Sequence, residues 1–423
     1  MSAGRRAGGF ERRRKVSTEP VPTELIELEV GPIAHGGHCV ARMADGRVVF
    51  VRHALPGERV RVRVTETGPK FWRADAVEVL DASADRVDSV WPEAGPGGVG
   101  GGELAHVRLD AQRAWKSTVL TEQLSRLAKL DREVPVDAMP GDTGLGWRTR
   151  VSFVADAEGR LGMRQFRSHR VLPLTSMPLM TDALAELGLL DRRWSAGVTV
   201  DAVAPAGGDS PIVLVDGQPF DLRRGKIDPR PHARAAVRET VRDWQYRVAA
   251  AGFWQVHRQA PAALVDAVLA GVGGADAGAV VLDLFSGAGL FTLPLADRVG
   301  KSGRVVAVEG DARAVKDARR NAHDRPQIEL HQGDVGAVLG TLGAWDAVDA
   351  IVLDPPRVGA GRDVVRAMAA LDPDRIVYVA CDPAALARDV AYLGAEGYQL
   401  QDLRGLDLFP MTHHVEAVAV LAR

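Results

Sequence analysis

From about residue 233 onward, short apolar runs alternate with amphipathic stretches, and this alternation constrains the fold more than any other feature of the chain. Apolar runs separated by helical stretches are typical of parallel strands that helices cover on both faces. The pattern predicts seven strands, at residues 280–284, 304–308, 328–331, 350–353, 375–380, 400–406 and 415–421. We therefore expect a doubly wound, Rossmann-like α/β sheet in the C-terminal part of the chain.

The preceding part of the chain predicts further domains, because 423 residues exceed what one hydrophobic core usually supports. Alternating apolar positions between about 25 and 80 indicate a small, OB-like β-barrel. A Gly/Pro-rich passage at 91–102, a helical segment at 110–130 and strands around 151–174 indicate a central α+β domain. The predicted division is a tail over 1–20, a barrel over 21–81, a central domain over 82–232 and an α/β domain over 233–423.

The distribution of charge indicates where nucleic acid could bind. A net charge of −2 argues against indiscriminate binding to nucleic acid. Residues 1–20 hold six cations against two acids, which indicates a disordered basic tail, either a solubilising leader or a phosphate-contacting arm. The barrel strands carry a second group of cations, with aromatic residues beside them. This group forms either a nucleic-acid face or a solvated strand face around a packed aromatic ring. Its members, all expected to be exposed or beside the exposed cations, are Arg52, Arg59, Arg61, Arg63, Lys70, Phe71 and Trp72.

Cysteine content and hydropathy bear on the compartment. The chain has two cysteines, Cys39 and Cys381, too few for a disulfide framework. No stretch approaches the roughly 18 apolar residues that a membrane helix needs. We therefore expect a cytoplasmic protein that does not associate with membranes, with a monomer as the default state.

A glycine-containing loop after the first α/β strand indicates a nucleotide-like cofactor. The segment from Asp283 to Gly289 follows a buried strand and opens a helix, and Gly287 lets a ligand approach the backbone. Glu309 ends the next strand, where an acid can hold ribose hydroxyls. Thr292 stands where a dinucleotide fingerprint requires a third glycine, which weakens an NAD interpretation. The alternative is an ordinary tight turn with a surface glutamate.

Two further acids follow the third and fourth strands. Asp354 begins the segment Asp354-Pro-Pro-Arg357, whose two prolines stiffen a loop that holds an acid between cofactor and substrate. Arg357 is a candidate for contacting substrate oxygens. Asp334 is placed to accept an adenine amino group, although capping of a helix explains an aspartate there nearly as well.

Cys381 follows the fifth strand and is the candidate nucleophile. In a doubly wound sheet the fourth and fifth strands are neighbours, which places Cys381 beside Asp354. Asp382 is expected to cap the next helix, whose N-terminus favours a thiolate while the Asp382 charge opposes it, so the direction of the pKa shift stays open. Glu416, at the start of the final strand, is the candidate general base. His413 and His414 lack a second ligand cluster, and no metal site is expected.

At these residues the chain resembles the RNA 5-methyluridine methyltransferases. The matching segments, which span nearly the whole chain, are 253–255, 283–289, 291–295, 354–357, 381–389 and 409–416. The barrel resembles the TRAM domain of many members. The resemblance implies a C-terminal methyltransferase fold, a central RNA-binding domain, S-adenosyl-L-methionine as cofactor, and ribosomal or transfer RNA as partner.

The resemblance also implies roles for single residues. Cys381 would add to carbon 6 of a uridine, which makes carbon 5 nucleophilic enough to accept a methyl group, and Glu416 would then remove the carbon 5 proton. The target base would be flipped out or lie in a loop. The residues that would contact the cofactor are Gln255, Phe285, Glu309 and Asp354.

The chain departs from the family at two places. Many relatives hold an iron–sulfur cluster on four cysteines, but the corresponding positions here are Trp91, Val99, Gly102 and Met177, so no cluster is expected. Leu290 replaces an asparagine that is common after the second glycine, which removes one cofactor hydrogen bond.

Two other functions compete with this interpretation. Loops of the acid-Pro-Pro type also serve methylation of amino nitrogens, for which Cys381 is not needed. A noncatalytic RNA-binding assembly factor would explain the barrel and the basic tail but not the intact candidate site.

Overall fold

A computed structural model describes residues 20–230, 235–341 and 347–423. The basic tail predicted over 1–20 lies outside the described residues, Pro20 apart. The chain divides into two compact units: a small one that ends at residue 84 and lacks residues 35–37, and a large one formed by residues 85–423 with 35–37. The boundary at residue 232 between a central domain and an α/β domain stays a prediction.

The small unit is a closed five-stranded barrel, as the alternating pattern predicts. Its strands are β1 (Ile26–Ala34), β2 (His38–Arg42), β3 (Val48–Arg52), β4 (Arg59–Glu66) and β5 (Phe71–Asp81), in the order β1-β2-β3-β5-β4. Along β4, Val60, Val62 and Val64 are buried while the arginines between them are exposed, because successive side chains of a strand point to opposite faces. Cys39 belongs to this barrel core.

The expected row of exposed cations on the barrel is wrong in part. Arg52 is buried, because it lies opposite the carboxylate of Asp75 in the register of β3 and β5. Trp72 is buried as well. Arg59 and Arg61 are exposed but form ion pairs with acids on neighbouring strands. Arg63 and Lys70 are exposed.

The large unit begins with a helical region and a central antiparallel sheet. The predicted helix over 110–130 is α1 (Leu109–Gln123), continued by a π-helical turn over Leu124–Ala128. A short strand, β6 (Val136–Asp137), follows. The strands of the central sheet are β7 (Arg150–Ala155), β8 (Leu161–Arg164), β9 (Val171–Pro173), β10 (Thr199–Val203), β11 (Ile212–Val215), β12 (Gln218–Asp221) and β13 (Lys226–Ile227), with a short helix α2 (Asp182–Ala185) between β9 and β10. Their order in the sheet is β13-β12-β11-β10-β7-β8-β9.

The four positions that correspond to cluster cysteines in relatives lie in the apolar core beside this sheet. Trp91, Val99 and Met177 are buried in one cluster. The Trp91 ring packs so closely on Gly102 that a Cβ atom there would lie 2.9 Å from a ring carbon. Apolar packing therefore fills these positions.

The predicted α/β sheet is present, with all seven predicted strands within one residue of their expected bounds. These strands are β16 (Val280–Leu284), β17 (Arg304–Glu309), β18 (Ile328–Gln332), β19 (Ala350–Leu353), β20 (Arg375–Ala380), β21 (Gln399–Leu406) and β22 (Glu416–Ala422). The order is β18-β17-β16-β19-β20-β22-β21-β6, in which β22 runs antiparallel to both β20 and β21. A hairpin of β14 (Ala236–Val241) and β15 (Trp244–Ala249) precedes β16 in the chain. The sequence pattern did not predict that β6 joins this sheet.

Helices cover both faces of the sheet, which explains its nearly continuous apolar strands. They are α3 (Ala260–Gly271), α4 (Thr292–Val299), α5 (Ala312–Asn321), α6 (Val335–Leu339), α7 (Gly361–Ala369) and α8 (Pro383–Ala395). Neighbouring strand residues enter opposite cores: Leu282 and Ile351 pack in one cluster, Val281 and Val352 in the other. Within the described ranges, no helix combines the length and apolarity required to traverse a bilayer.

Candidate active site

Three predicted site residues converge at one edge of the large sheet. Asp354 and Cys381 directly follow β19 and β20, which are parallel neighbours, so both residues leave the sheet at its carboxyl edge. The antiparallel strand β22 begins there with Glu416. Because Ala380 pairs with Ala417, Glu416 lies opposite the position that Cys381 takes at the end of β20. The structure therefore brings together the predicted nucleophile, the predicted base and the acid of the Pro-Pro loop.

Cys381 is a half-buried thiol in an acidic setting. Asp382 caps α8 as predicted, with its carboxylate accepting the Ala385 N–H at 2.8 Å. Burial and the charges of Glu416 and Asp354 raise the pKa of Cys381 to about 11, against a smaller opposing effect of Arg357. The sequence left the direction of the pKa shift of Cys381 open, and the structure shows that it is upward. The resting side chain is therefore a thiol at neutral pH.

The two carboxyl groups beside the thiol are strongly perturbed. Burial raises the pKa of Asp354 to about 7. Glu416 is 3% exposed, and burial together with the Asp354 charge raises its pKa well above the usual range. Two acids whose protonated forms persist near neutral pH are suited to accepting and releasing protons.

The turn that carries Glu416 is held by residues of α1. The Lys116 ammonium donates to Asp407 at 2.5 Å and to the Phe409 carbonyl at 2.9 Å, in an ion pair that is almost fully buried. Gln112 accepts the Met411 N–H at 2.7 Å. Sequence reasoning missed this support because Lys116 and Asp407 are 291 residues apart in the chain.

A second contact reaches the same turn from the segment before α1. Glu103 is buried, and its carboxylate lies 3.4 Å from Nδ1 of His413. The His413 and His414 rings lie 4.1 Å apart, and Nε2 of His414 lies 3.5 Å from the Arg357 guanidinium. Burial and the neighbouring cationic groups lower the pKa of His414 to about 3, so that His414 is neutral at physiological pH. A chain of polar side chains therefore links Glu103 to the Pro-Pro loop.

The glycine-containing loop between β16 and α4 forms the other wall of the site. Phe285, Gly287 and Gly289 all have positive φ angles, which suit the two glycines and are uncommon for the phenylalanine. The Gly287 N–H donates to Glu309 at 2.9 Å, across neighbouring strands β16 and β17. A Cβ atom built on Gly287 would meet nothing within 4 Å, so the loop leaves open space at this point.

Comparisons with known proteins agree with this geometry. The sequence matches the TRAM domain over residues 23–77, the methyltransferase domain over 281–369 and the tRNA (uracil-5-)-methyltransferase family over 341–423. An uncharacterised RNA methyltransferase of Streptomyces coelicolor is 46% identical, with 97% of both chains covered. A similarly described protein of Bifidobacterium longum is 43% identical, with 94% of this chain and 96% of that one covered. The chain belongs to the RNA 5-methyluridine methyltransferase family.

A solved structure supports the fold of this methyltransferase. Pyrococcus abyssi tRNA (uracil-54, C5)-methyltransferase, solved in complex with S-adenosyl-L-homocysteine, superposes with a TM-score of 0.69. The match covers 93% of this chain and 99% of that chain at 22% identity. The shared fold, the family and the methyltransferase-domain match identify S-adenosylmethionine as the methyl donor of an RNA methyltransferase.

The groups around the glycine-containing loop fit this donor. Within the described residues, Oδ1 of Asp283 and the hydroxyl of Ser286 are buried without a hydrogen-bond partner. This indicates that a ligand or water supplies their missing hydrogen bonds. Burial, together with the charges of Asp354 and Glu309, raises the pKa of Asp283 to about 7 despite a hydrogen bond from Thr292. Such an acidic wall suits a sulfonium cation and opposes a pyrophosphate. Sequence reasoning did not select Asp283, although its position at the end of β16 offered a signal.

Gln255 and Asp334 occupy different surroundings. Gln255 is buried directly after Trp254, whose ring lies 5.2 Å from that of Tyr246. The Tyr246 hydroxyl donates to the Leu290 carbonyl at 2.9 Å, which ties this segment to the end of the glycine-containing loop. Asp334 is exposed and caps α6 by accepting the Ala337 N–H, so the capping alternative is confirmed. Contacts of Gln255 and Asp334 with the donor stay predictions.

Proposed function

We propose that the methyltransferase transfers a methyl group from S-adenosylmethionine to carbon 5 of a uridine in ribosomal or transfer RNA, through a covalent bond between Cys381 and the base. The convergence of Cys381, Asp354 and Glu416 beside the glycine-containing loop carries this proposal. A thiol nucleophile next to two proton-accepting carboxyl groups is what carbon methylation of a pyrimidine requires. Methylation of an amino nitrogen would not require the thiol.

Cys381 opens the reaction by covalent addition. Its thiol proton passes to a neighbouring carboxylate, and Sγ forms a bond to carbon 6 of uracil. The electrons of the carbon 5–carbon 6 double bond move toward the carbonyl oxygen on carbon 4, which makes carbon 5 nucleophilic. When bound, S-adenosylmethionine would supply an electrophilic methyl group on a positively charged sulfur, and that sulfur would leave as the neutral thioether of S-adenosylhomocysteine.

Glu416 closes the reaction by removing a proton. Its carboxylate takes the proton from carbon 5 of the methylated adduct, the electrons of that C–H bond restore the double bond, and Sγ leaves carbon 6 as thiolate. Arg357, which lowers the pKa of Cys381, favours the thiolate at both stages. The raised pKa of Glu416 makes it a stronger base than an exposed glutamate.

The cofactor contacts form part of the same proposal. Glu309 would hold the ribose, and Gly287 and Phe285 would line the nucleoside. The remaining contacts would come from Gln255, Asp334 and Asp354. In this arrangement residues 82–232 form an RNA-binding domain and residues 233–423 form the methyltransferase domain, with a flipped-out uridine reaching Cys381.

The test combines labelled methyl donor with pools of unmodified transfer RNA and ribosomal RNA. We expect 5-methyluridine in one pool, complete loss of transfer in Cys381→Ala, and normal transfer in Cys39→Ala, because Cys39 lies in the barrel core. Normal transfer by Cys381→Ala would favour an amino-nitrogen acceptor. RNA binding with no transfer to either pool would favour the noncatalytic assembly factor.

A substituted RNA tests the covalent step directly. With 5-fluorouridine in place of uridine and S-adenosylmethionine present, the methylated adduct has no carbon 5 proton for Glu416 to remove, so its bond to Cys381 should persist. We expect a band that survives denaturing gel electrophoresis for the wild type and Cys39→Ala, and none for Cys381→Ala. A persistent band in Cys381→Ala contradicts the proposed role of this thiol.

A further inference from the structure

The hairpin that joins β8 and β9 has an unusual charge. From Arg160 to Thr181 the sequence contains four arginines and a histidine but neither aspartate nor glutamate. Four of these cations, Arg164, Arg167, His169 and Arg170, are exposed on the hairpin and its turn. The chain as a whole has a net charge of −2, so this is a local excess of positive charge.

Two of these cations differ in pairing from several other arginines of the same sheet. In the described part of the chain, neither Arg164 nor Arg170 forms an ion pair with an acidic side chain, and both residues are exposed. Five other arginines on or beside the central sheet are paired with acids, in the pairs Arg150–Glu239, Arg160–Asp156, Arg224–Asp221, Arg230–Asp228 and Arg238–Asp209. The hairpin therefore carries two exposed arginine charges that are available to an anionic partner.

The hairpin is firmly held. Gly162 packs so tightly against β9 that a Cβ atom there would lie 2.0 Å from the Leu172 carbonyl oxygen. The Gln165 amide donates to the Gly97 carbonyl at 2.9 Å, and the Phe166 N–H donates to Gly98 at 3.2 Å. Cations on a fixed backbone lose less entropy on binding than cations on a mobile loop.

The same contacts place the hairpin near the active site. Five residues after Gly98 along the chain, Glu103 reaches His413, and Leu104 donates its N–H to the Met411 carbonyl at 2.9 Å. Five residues span at most about 18 Å even when fully extended. The hairpin therefore lies within a few nucleotides' reach of the turn that carries Glu416.

We infer that Arg164 and Arg170 form a docking surface for the RNA phosphates that flank the target uridine. This inference rests on the proposed RNA substrate but not on the carbon 5 chemistry. Phosphate contacts of this kind fix the position of the strand without reading its sequence, and each one releases bound counterions. They would hold the strand while one base leaves the stack to enter the site.

The experiment measures binding of a fluorescent 20-nucleotide oligouridylate between 0.05 and 1 M salt. For Arg164→Ala/Arg170→Ala, losing two contacts should reduce the slope of log affinity against log salt by about 1.4 and weaken binding ~10-fold at 0.1 M salt. Arg164→Lys/Arg170→Lys should keep most of the slope, since the charge is retained. The matched control is Arg223→Ala/Arg224→Ala, in the turn between β12 and β13 at the opposite edge of the same sheet, which should match the wild type.

The outcomes separate this inference from the proposed function. An unchanged slope in Arg164→Ala/Arg170→Ala, or an equal loss in the control, overturns the docking surface, whatever the enzyme methylates. A reduced slope in a protein that never forms 5-methyluridine supports the surface and overturns the carbon 5 proposal alone. Unchanged affinity for S-adenosylhomocysteine in all variants shows that the methyltransferase domain is intact.

Discussion

At the scale of single residues, the site sets a nucleophile among groups that oppose its ionisation. Burial, Glu416 and Asp354 all raise the pKa of Cys381, and Arg357 is the group that lowers it. A thiol that stays protonated in the resting enzyme is protected from oxidation and from unwanted electrophiles, because the thiolate is the reactive form. The reaction then depends on moving that proton to a neighbouring carboxylate.

The pH dependence of alkylation tests this charge balance. In a Cys39→Ala background, the rate at which iodoacetamide modifies Cys381 should rise about tenfold per pH unit between pH 7 and 10, because the thiolate fraction rises up to a pKa of about 11. Asp354→Asn should speed alkylation at pH 8 by removing a negative charge, and Arg357→Ala should slow it. A plateau below pH 9 in the unmodified site would contradict the raised pKa.

The proposed ribose contact offers a second test at this scale. Glu309→Gln removes the charge from a carboxylate that accepts the Gly287 N–H, and a hydrogen bond to a charged group contributes about 1.5–3 kcal/mol. We expect affinity for S-adenosylhomocysteine to fall at least tenfold by calorimetry. Glu329→Gln on the adjacent strand β18, a half-buried glutamate in an ion pair with Arg304, serves as the control and should bind normally. Equal binding by both variants would remove Glu309 from the proposed contacts.

At the scale of elements, the active site depends on how α1 supports the turn before β22. The turn from Phe409 to Glu416 has little regular structure of its own, and its position is set by contacts from Gln112 and Lys116. The glycine-containing loop, by contrast, is fixed by its own strand and helix and by the neighbouring β17. The glycine-containing loop is therefore positioned by segments that are close in sequence, whereas the turn that carries Glu416 is positioned by segments that are far apart in sequence.

Breaking the buried ion pair should destabilise the large unit. Lys116→Met leaves the Asp407 carboxylate buried without its partner, which costs about 3–5 kcal/mol of unfolding free energy. Urea denaturation should show this loss, and kcat should fall because the turn that carries Glu416 is no longer held. The double variant Lys116→Met/Asp407→Leu should recover most of the stability, because no uncompensated charge remains. A single variant as stable as the wild type would show that the pair has no such role.

At the scale of the whole molecule, the chain consists of two compact units with separate cores. The barrel closes on its own five strands, whereas the glycine-containing loop, Cys381 and Glu416 all belong to the large unit. Chains with separate cores often unfold in more than one step. Binding of the methyl donor should then stabilise the large unit alone.

Calorimetry with and without S-adenosylhomocysteine tests this division. We expect two unfolding transitions, and only the Tm of the larger one should rise with ligand. A ligand at 100 times its Kd adds about 2.7 kcal/mol to the free energy of unfolding of the unit that binds it. An isolated fragment of residues 20–84 should reproduce the transition whose Tm does not change with S-adenosylhomocysteine. A single transition that moves as a whole would mean that the two units unfold cooperatively.

The sequence by itself determined the features that depend on neighbouring residues. Strand positions in the α/β sheet, the glycine-containing loop and the capping of α8 by Asp382 follow from periodicity and local backbone preferences, which require no knowledge of distant segments. The tertiary structure decided the burial of Arg52 opposite Asp75, the attachment of β6 to the sheet, and the support of the active-site turn by Lys116. It also decided the upward shift in the pKa of Cys381, because burial and the field of other carboxylates arise only when separate strands end at the same edge.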